Sequence, residues 1–286
     1  MKGTNYFLIG IVVLISACSA QNQTDSEKLY PVANFLHAHG LATDPIDSGK
    51  LYIATHHGLY LLVNETKLFQ IGKSEDDYMG FSPHPSKPNI VYTSGHPIIG
   101  GNLGFQKSED GGFTWKKISD GVNGPVDFHA MSVSKTNPKT IYGWYQGNVQ
   151  RSDDEGKTWN AISQTTFPIV SLETDSRDEN RVYAASPLGM YISNDKGISW
   201  NIVEEFKGKF VSSIASSQNK LLVFSGKLMK SSDDGATWTA INESFNNGTV
   251  LYIAFDRQDN SVIYGLTNNN EIFKSNDDGK GWKKIY

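Results

Sequence analysis

The chain has 286 residues, room for one large domain or two small ones. Lys plus Arg number 26 against 30 Asp plus Glu, a formal charge of −4 that argues against nucleic acid, whose binders present a basic face. Hydrophobic residues at 38% fill a core without supplying several membrane spans, and a single cysteine excludes an internal disulfide and any four-thiolate metal site.

Residues 1–17 read MKGTNYFLIGIVVLISA, with Lys2 ahead of a twelve-residue apolar or small stretch from Tyr6 to Ala17. A spanning helix needs roughly 20 apolar residues, so the pattern predicts a cleaved export signal rather than a membrane span. The stretch ends Leu14-Ile15-Ser16-Ala17-Cys18, which resembles a bacterial lipobox. That resemblance implies cleavage before Cys18 and diacylation of its thiol. Each buried acyl CH₂ contributes about 0.8 kcal/mol, so two chains anchor stably. Residues 18–30 are polar and unpatterned over most of their length and predict a flexible tether. The expectation is an exported bacterial lipoprotein, held close to a membrane outside the cytoplasm, whose folded part spans residues 31–286.

Six similar units follow the tether. Leu51-Tyr52, Val91-Tyr92, Ile141-Tyr142, Val182-Tyr183, Leu221-Leu222 and Ile263-Tyr264 open strands of alternating pattern, each with a further apolar strand upstream. Residues 31–286 divide into about 43 positions per unit, the length of a four-stranded propeller blade. The chain is therefore expected to be all-β, a six-bladed propeller of four-stranded antiparallel blades. A seventh blade follows only if the terminal segments assemble another sheet.

Units two to six share Ser-x-Asp-x-Gly-x-Thr-Trp: Ser108 to Trp115, Ser152 to Trp159, Ser193 to Trp200, Ser231 to Trp238, and Ser275 to Trp282. The tryptophans stand 44, 41, 38 and 44 residues apart, and the last copy has Gly281 where Thr or Ser is expected. This motif resembles the Asp box, or BNR repeat, of sialidases, sortilins and xyloglucanases, and related lipoproteins look like those named glycosylhydrolase-like. The box chemistry is architectural: Ser and Asp cap backbone amides of a tight turn, Gly supplies positive φ, and Trp anchors the turn to the sheet.

Registering the units on their second-strand tyrosines turns the inner strands into columns. An apolar column (Leu41, Phe81, Met131, Leu172, Ile214, Ile253) is assigned to the core. Two residues earlier stand His39, Met79, His129, Val170, Ser212 and Leu251, and two earlier again His37, Asp77, Asp127, Pro168, Phe210 and Thr249. Units one to three thus carry His, Met and Asp where the others are mostly apolar. His56 and His57 in unit one, and His96 in unit two, follow second strands and belong to the same face. His84 belongs to the opposite face, with the Asp boxes. Unit two also carries an insert: 16 residues separate Tyr92 from Ser108. Inserts on one face of a repeat protein often carry binding.

Several functions fit that face. His37, His39, His56, His57, His96, His129 and Met79, with Asp77 and Asp127, form a candidate metal or small-ligand site. Imidazole with thioether suits copper, and imidazole with carboxylate suits zinc. A purely architectural reading has the histidines bonding backbone between blades, Met79 filling a gap and the aspartates capping turns. A non-sialidase glycoside hydrolase is the alternative, with Asp77 and Asp127 as the two carboxyls that such chemistry places roughly 5–10 Å apart. Sialidase activity itself is disfavoured, since the early Arg-Ile-Pro motif is absent and none of the four arginines lies on an inner strand. A third reading is a protein-binding scaffold, as in sortilins and the photosystem II assembly factor that the repeat resembles, with Trp144 and Tyr145 as exposed aromatic contacts. The expected partners are therefore the membrane, through the anchor, and a metal, small ligand, glycan or protein. The chain contains no phosphate loop, no His-Glu-x-x-His and no Gly-x-Ser-x-Gly.

Overall fold

The computed structural model describes residues 28–242, 245 and 248–286. The export signal over 1–17, the lipidation site Cys18 and the tether up to residue 27 lie outside the described residues. Short alternating runs pair with their sequence neighbours as antiparallel strands, giving six sheets around a ring and settling the count at six blades. The inner strands are Ala38–Thr43, Asp77–Pro83, Ala130–Val133, Ser171–Thr174, Ser213–Ser217 and Val250–Phe255. Each blade then runs outward in chain order.

Blade 1 departs from the four-strand pattern. Leu29–Pro31 adds a fifth strand at its outer edge, with Leu29 opposite Ile71 and Pro31 opposite Phe69. The last two residues assigned to the tether, Leu29 and Tyr30, are therefore part of the sheet. Pro at such an edge costs no ladder bond that the blade needs.

The core lies between blades. The second-strand tyrosines Tyr92, Tyr142, Tyr183 and Tyr264 are at most 1% exposed and pack against the next or preceding sheet. Among the described residues the ring closes without strand exchange. Phe35 and the strands of blade 1 share a cluster with Tyr264, Leu266 and Ile272 of blade 6, and the Thr43 hydroxyl donates to the Phe255 carbonyl at 2.9 Å.

The Asp boxes are built as their composition predicts. In the second copy, Ser152 Oγ accepts the Gly156 amide at 2.8 Å and donates to Asp154 Oδ1 at 2.8 Å. Asp154 in turn accepts the Thr158 amide at 2.9 Å and its hydroxyl at 2.7 Å. Trp159 donates to the Gly156 carbonyl and to Ser119 Oγ of the preceding blade, at 3.0 and 2.9 Å. In the divergent copy Asp277 keeps the Gly281 amide at 2.8 Å, and the side-chain bond that Thr provides elsewhere has no counterpart.

The six inner strands surround a channel of about 340 Å³. The apolar column assigned to the core borders this channel: Leu41, Met131, Leu172, Ile214 and Ile253 are buried members of the core clusters between blades, and Phe81 packs against one.

Candidate metal centre at the channel mouth

The inner strands of blades 1 and 2 start irregularly. Each has a β-bulge, between Ala38 and Gly40 and between Tyr78 and Gly80, so His39 and Met79 are the extra residues. A bulge re-aims a side chain without ending the sheet, and both residues line the channel. The turn after the second strand of blade 1 delivers His56. The second strand of blade 2 ends on His96, directly opposite Asp77. Gly95 makes that pairing possible: its φ is +154°, and a Cβ there would stand 1.9 Å from the Asp77 carbonyl oxygen.

These elements converge on one carboxylate. Asp77 is 2% exposed. His56 Nδ1 pairs closely with its Oδ2, His96 Nε2 lies 3.2 Å from the same oxygen, and His39 Nε2 lies 3.8 Å from Oδ1. The rings of His39 and His56 meet edge to face at 4.2 Å. One donor atom from each of His39, His56 and Asp77 lies within 4.8 Å of the other two. His39 Nε2 and Asp77 Oδ1 are buried with no hydrogen-bond partner among the described residues. Burial pulls the His39 imidazole down to about 4 against the pull of Asp77, with the neighbouring imidazoles adding to the drop. His39 is thus a neutral imidazole with a lone pair at physiological pH.

The remaining predicted residues divide. Asp127 and His129 form a pair of their own, with His129 Nε2 at 3.1 Å from Asp127 Oδ2. The hydrogen bond to Asp127 raises the His129 imidazole, burial opposing it, and Asp77 adds to the rise. Asp127 Oδ1 is also buried without a hydrogen-bond partner among the described residues. His37 is exposed, at a φ of +51°, with its ring 5.4 Å from that of His56. His57 is exposed and held through its backbone, its amide bonding Thr55 Oγ1 at 3.0 Å. Neither His37, His57, His96, His129 nor Asp127 belongs to the three-residue group. Of the nine candidate residues, His39, His56 and Asp77 form a cluster with His96 against it, Asp127 and His129 form a neighbouring pair, His37 and His57 are exposed, and Met79 lines the channel.

Two other expectations resolve. His84 lies at the opposite end and caps its turn, its Nδ1 accepting the Ser86 and Lys87 amides at 3.1 Å each. Trp144 and Tyr145 are half-buried rather than free contacts. Trp144 donates to Thr165 Oγ1 at 3.1 Å, and the Tyr145 hydroxyl accepts the Asn102 amide of the insert at 2.9 Å. Sequence reasoning missed Arg257, which reaches the channel from a turn instead of an inner strand. Its position one residue after a turn-capping aspartate was the available signal.

Repeat and architecture together define a BNR-like β-propeller. Residues 226–286, which take in the whole of blade 6, match the Sortilin-Vps10 family, described as sortilin, neurotensin receptor 3. Among curated proteins, a xyloglucanase of Hypocrea jecorina is 26% identical over an alignment covering 60% of this chain and 19% of that protein. Xyloglucanase Xgh74A of Acetivibrio thermocellus is 25% identical, over 66% of this chain and 29% of its own length. The chain thus spans less than a third of the curated relatives it matches. Among solved structures, the GH74 xyloglucanase of Xanthomonas campestris superposes with a TM-score of 0.62 at 17% identity, covering 90% of this chain and 46% of that one. YCF48 of Cyanidioschyzon merolae gives 0.56 at 15% identity, covering 90% and 87%. These likenesses establish the propeller fold.

Proposed function

We propose that the channel mouth over blades 1 and 2 binds one transition-metal ion, with His39, His56 and Asp77 as donors and His96 completing the set. The observation that carries this reading is the pair of buried, unpartnered atoms, His39 Nε2 and Asp77 Oδ1, facing each other at 3.8 Å. Leaving two such atoms desolvated costs about 1–3 kcal/mol each. A cation bonded at about 2.0–2.2 Å satisfies both. Three imidazoles and a carboxylate suit zinc, or copper in its divalent state. Chelator-free protein titrated with Zn²⁺ and with Cu²⁺ in a calorimeter is expected to take up one equivalent of at least one of them. His39→Ala and Asp77→Asn should abolish that uptake, and a wild-type protein that binds neither ion sinks the reading.

The relatives favour a second reading, a glycoside hydrolase of the xyloglucanase kind working through Asp77 and Asp127. What supports it is that two curated relatives are xyloglucanases and that both carboxylates occupy the same mouth of the channel. Geometry weighs the other way, because both Asp77 oxygens face imidazoles. Sugar release from xyloglucan, lost in Asp77→Asn and Asp127→Asn, supports the hydrolase; no release from xyloglucan or from a broad panel of glucans removes it.

The lipobox supports placing this propeller on the outer face of a membrane through Cys18. Cys18→Ser should release the protein from the detergent-soluble membrane fraction, and retention there would remove the anchor.

A further inference from the structure

The far end of the channel carries a different chemistry. At the end of five inner strands a side chain caps the following turn: Asp44, His84, Ser134, Asp175 and Asp256 each accept backbone amides two or three residues on. Blade 5 instead closes with the tight Gln218-Asn219 hairpin. The residue after each cap, together with Ser217 of blade 5, lines the channel, giving a ring of Pro45, Pro85, Lys135, Ser176, Ser217 and Arg257. Two members are cations and none is acidic.

The two cations are not equally satisfied. Lys135 pairs closely with Glu173 and donates to the Ser216 carbonyl at 2.6 Å. Glu173 also accepts the Ser216 amide at 2.7 Å. Arg257 has no hydrogen bond or ion pair among the described residues, unlike the other three arginines: Arg151 meets Asp153 at 3.0 Å, Arg177 pairs closely with Asp234, and Arg181 reaches Asp175 at 3.7 Å. Two carboxylates face the same space. Glu173 is engaged as above. Asp256 binds the Gln258 and Asp259 amides through Oδ1, and its Oδ2 is buried and unpartnered. Burial lowers the Arg257 guanidinium, with Glu173 pulling the other way, yet a guanidinium stays charged. A half-buried guanidinium that faces the channel with no protein partner among the described residues gains most from an anion that can take its donors in pairs.

We infer that Arg257, with Lys135 beside it, forms a second binding site, for a small oxyanion such as a carboxylate, phosphate or sulfate group. The channel's volume of about 340 Å³ admits such a group with a small organic body attached. The site stands at the opposite end from the histidines and does not depend on what they bind.

The test is calorimetry at low ionic strength with inorganic phosphate, sulfate and succinate as separate probes. Wild-type protein is expected to bind at least one of them at one site. Arg257→Gln should weaken that binding at least about tenfold, the factor corresponding to about 1.4 kcal/mol. Arg257→Lys should retain part of it, because a point charge replaces the fork. Arg177→Gln, at a surface pair, should change nothing, and His39→Ala should leave anion binding intact even if it abolishes metal uptake. A circular dichroism melt on each variant separates lost binding from lost fold. Wild-type protein that takes up none of the three anions, or a folded Arg257→Gln variant that binds as tightly as wild type, overturns the proposal.

Discussion

At the scale of single residues, the Asp box shows how a short motif holds a turn. Ser152 is fully buried, and its hydroxyl serves the amides of Asp154 and Gly156 as well as the Asp154 carboxylate. Ser152→Ala strands the Gly156 amide, so equilibrium denaturation should report a loss of about 1–3 kcal/mol. Gly156 is equally constrained: its φ is +83°, and a Cβ would lie 2.0 Å from the Phe105 ring of the preceding blade. The same boxes set an acid limit. Hydrogen bonds from the Thr237 hydroxyl and amide hold Asp233 at about 2. In Asp154, burial opposes the equivalent bonds, and the carboxyl still rests at about 2. Carboxyls depressed in the folded state add stability above their unfolded value and lose it as pH falls through the folded one. The propeller should therefore hold its melting temperature down to about pH 4 and lose it between about pH 4 and 2. A melting temperature flat down to pH 2 would count against these bonds stabilising the fold.

At the scale of elements, position in the repeat decided what was legible. The Trp spacing and alternating strands specify blade number, because each blade must bury the same faces against its neighbours. Blade asymmetry pointed to the mouth of the channel where His39, His56 and Asp77 meet, since His, Met and Asp replace apolar residues in units one to three. Which residues meet there was not legible. The bulges that carry His39 and Met79 are extra-residue events with no composition of their own, and His57 differs from His56 only by one step along a turn. Arg257 escaped because a turn residue's direction depends on its cap. Gly95 is the element-scale device that brings His96 to Asp77. Gly95→Ala pushes a methyl into the Asp77 carbonyl, so the strand end must move away. Metal titration of this variant should show affinity reduced about 10-fold or more, the effect usual for loss of one supporting group, while blades 3 to 6 keep their hydrogen-exchange protection. Unchanged affinity would remove His96 from the donor set.

At the scale of the whole molecule, the ring is held shut by side chains. Side chains join blade 6 to blade 1, but among the described residues no strand passes between them. The terminal Tyr286 stacks on Phe35 at 5.4 Å, and its hydroxyl donates to the Ala33 carbonyl at 2.8 Å. Lys274 meets Glu65 across the same seam at 2.6 Å. At the other seams a box tryptophan packs against the preceding blade, and at two of them it also bonds it, Trp159 to Ser119 and Trp200 to Ser163. Blade 1 has no box, so the closing seam lacks that contact and depends on Tyr286 and Lys274. Tyr286→Ala removes a ring stack worth about 0.5–1.5 kcal/mol and a hydrogen bond of about 1 kcal/mol, a loss of about 2 kcal/mol in all. Its signature is spatial. Hydrogen exchange should quicken first in residues 29–43 and 272–286, at the seam, while the strands of blades 3 and 4 exchange at their former rates. Because the histidine cluster spans blades 1 and 2, one step from the seam, metal bound there should slow that opening by mass action. Exchange that quickens uniformly around the ring would mean that the propeller opens as one cooperative unit and that the seam is no weaker than the other five.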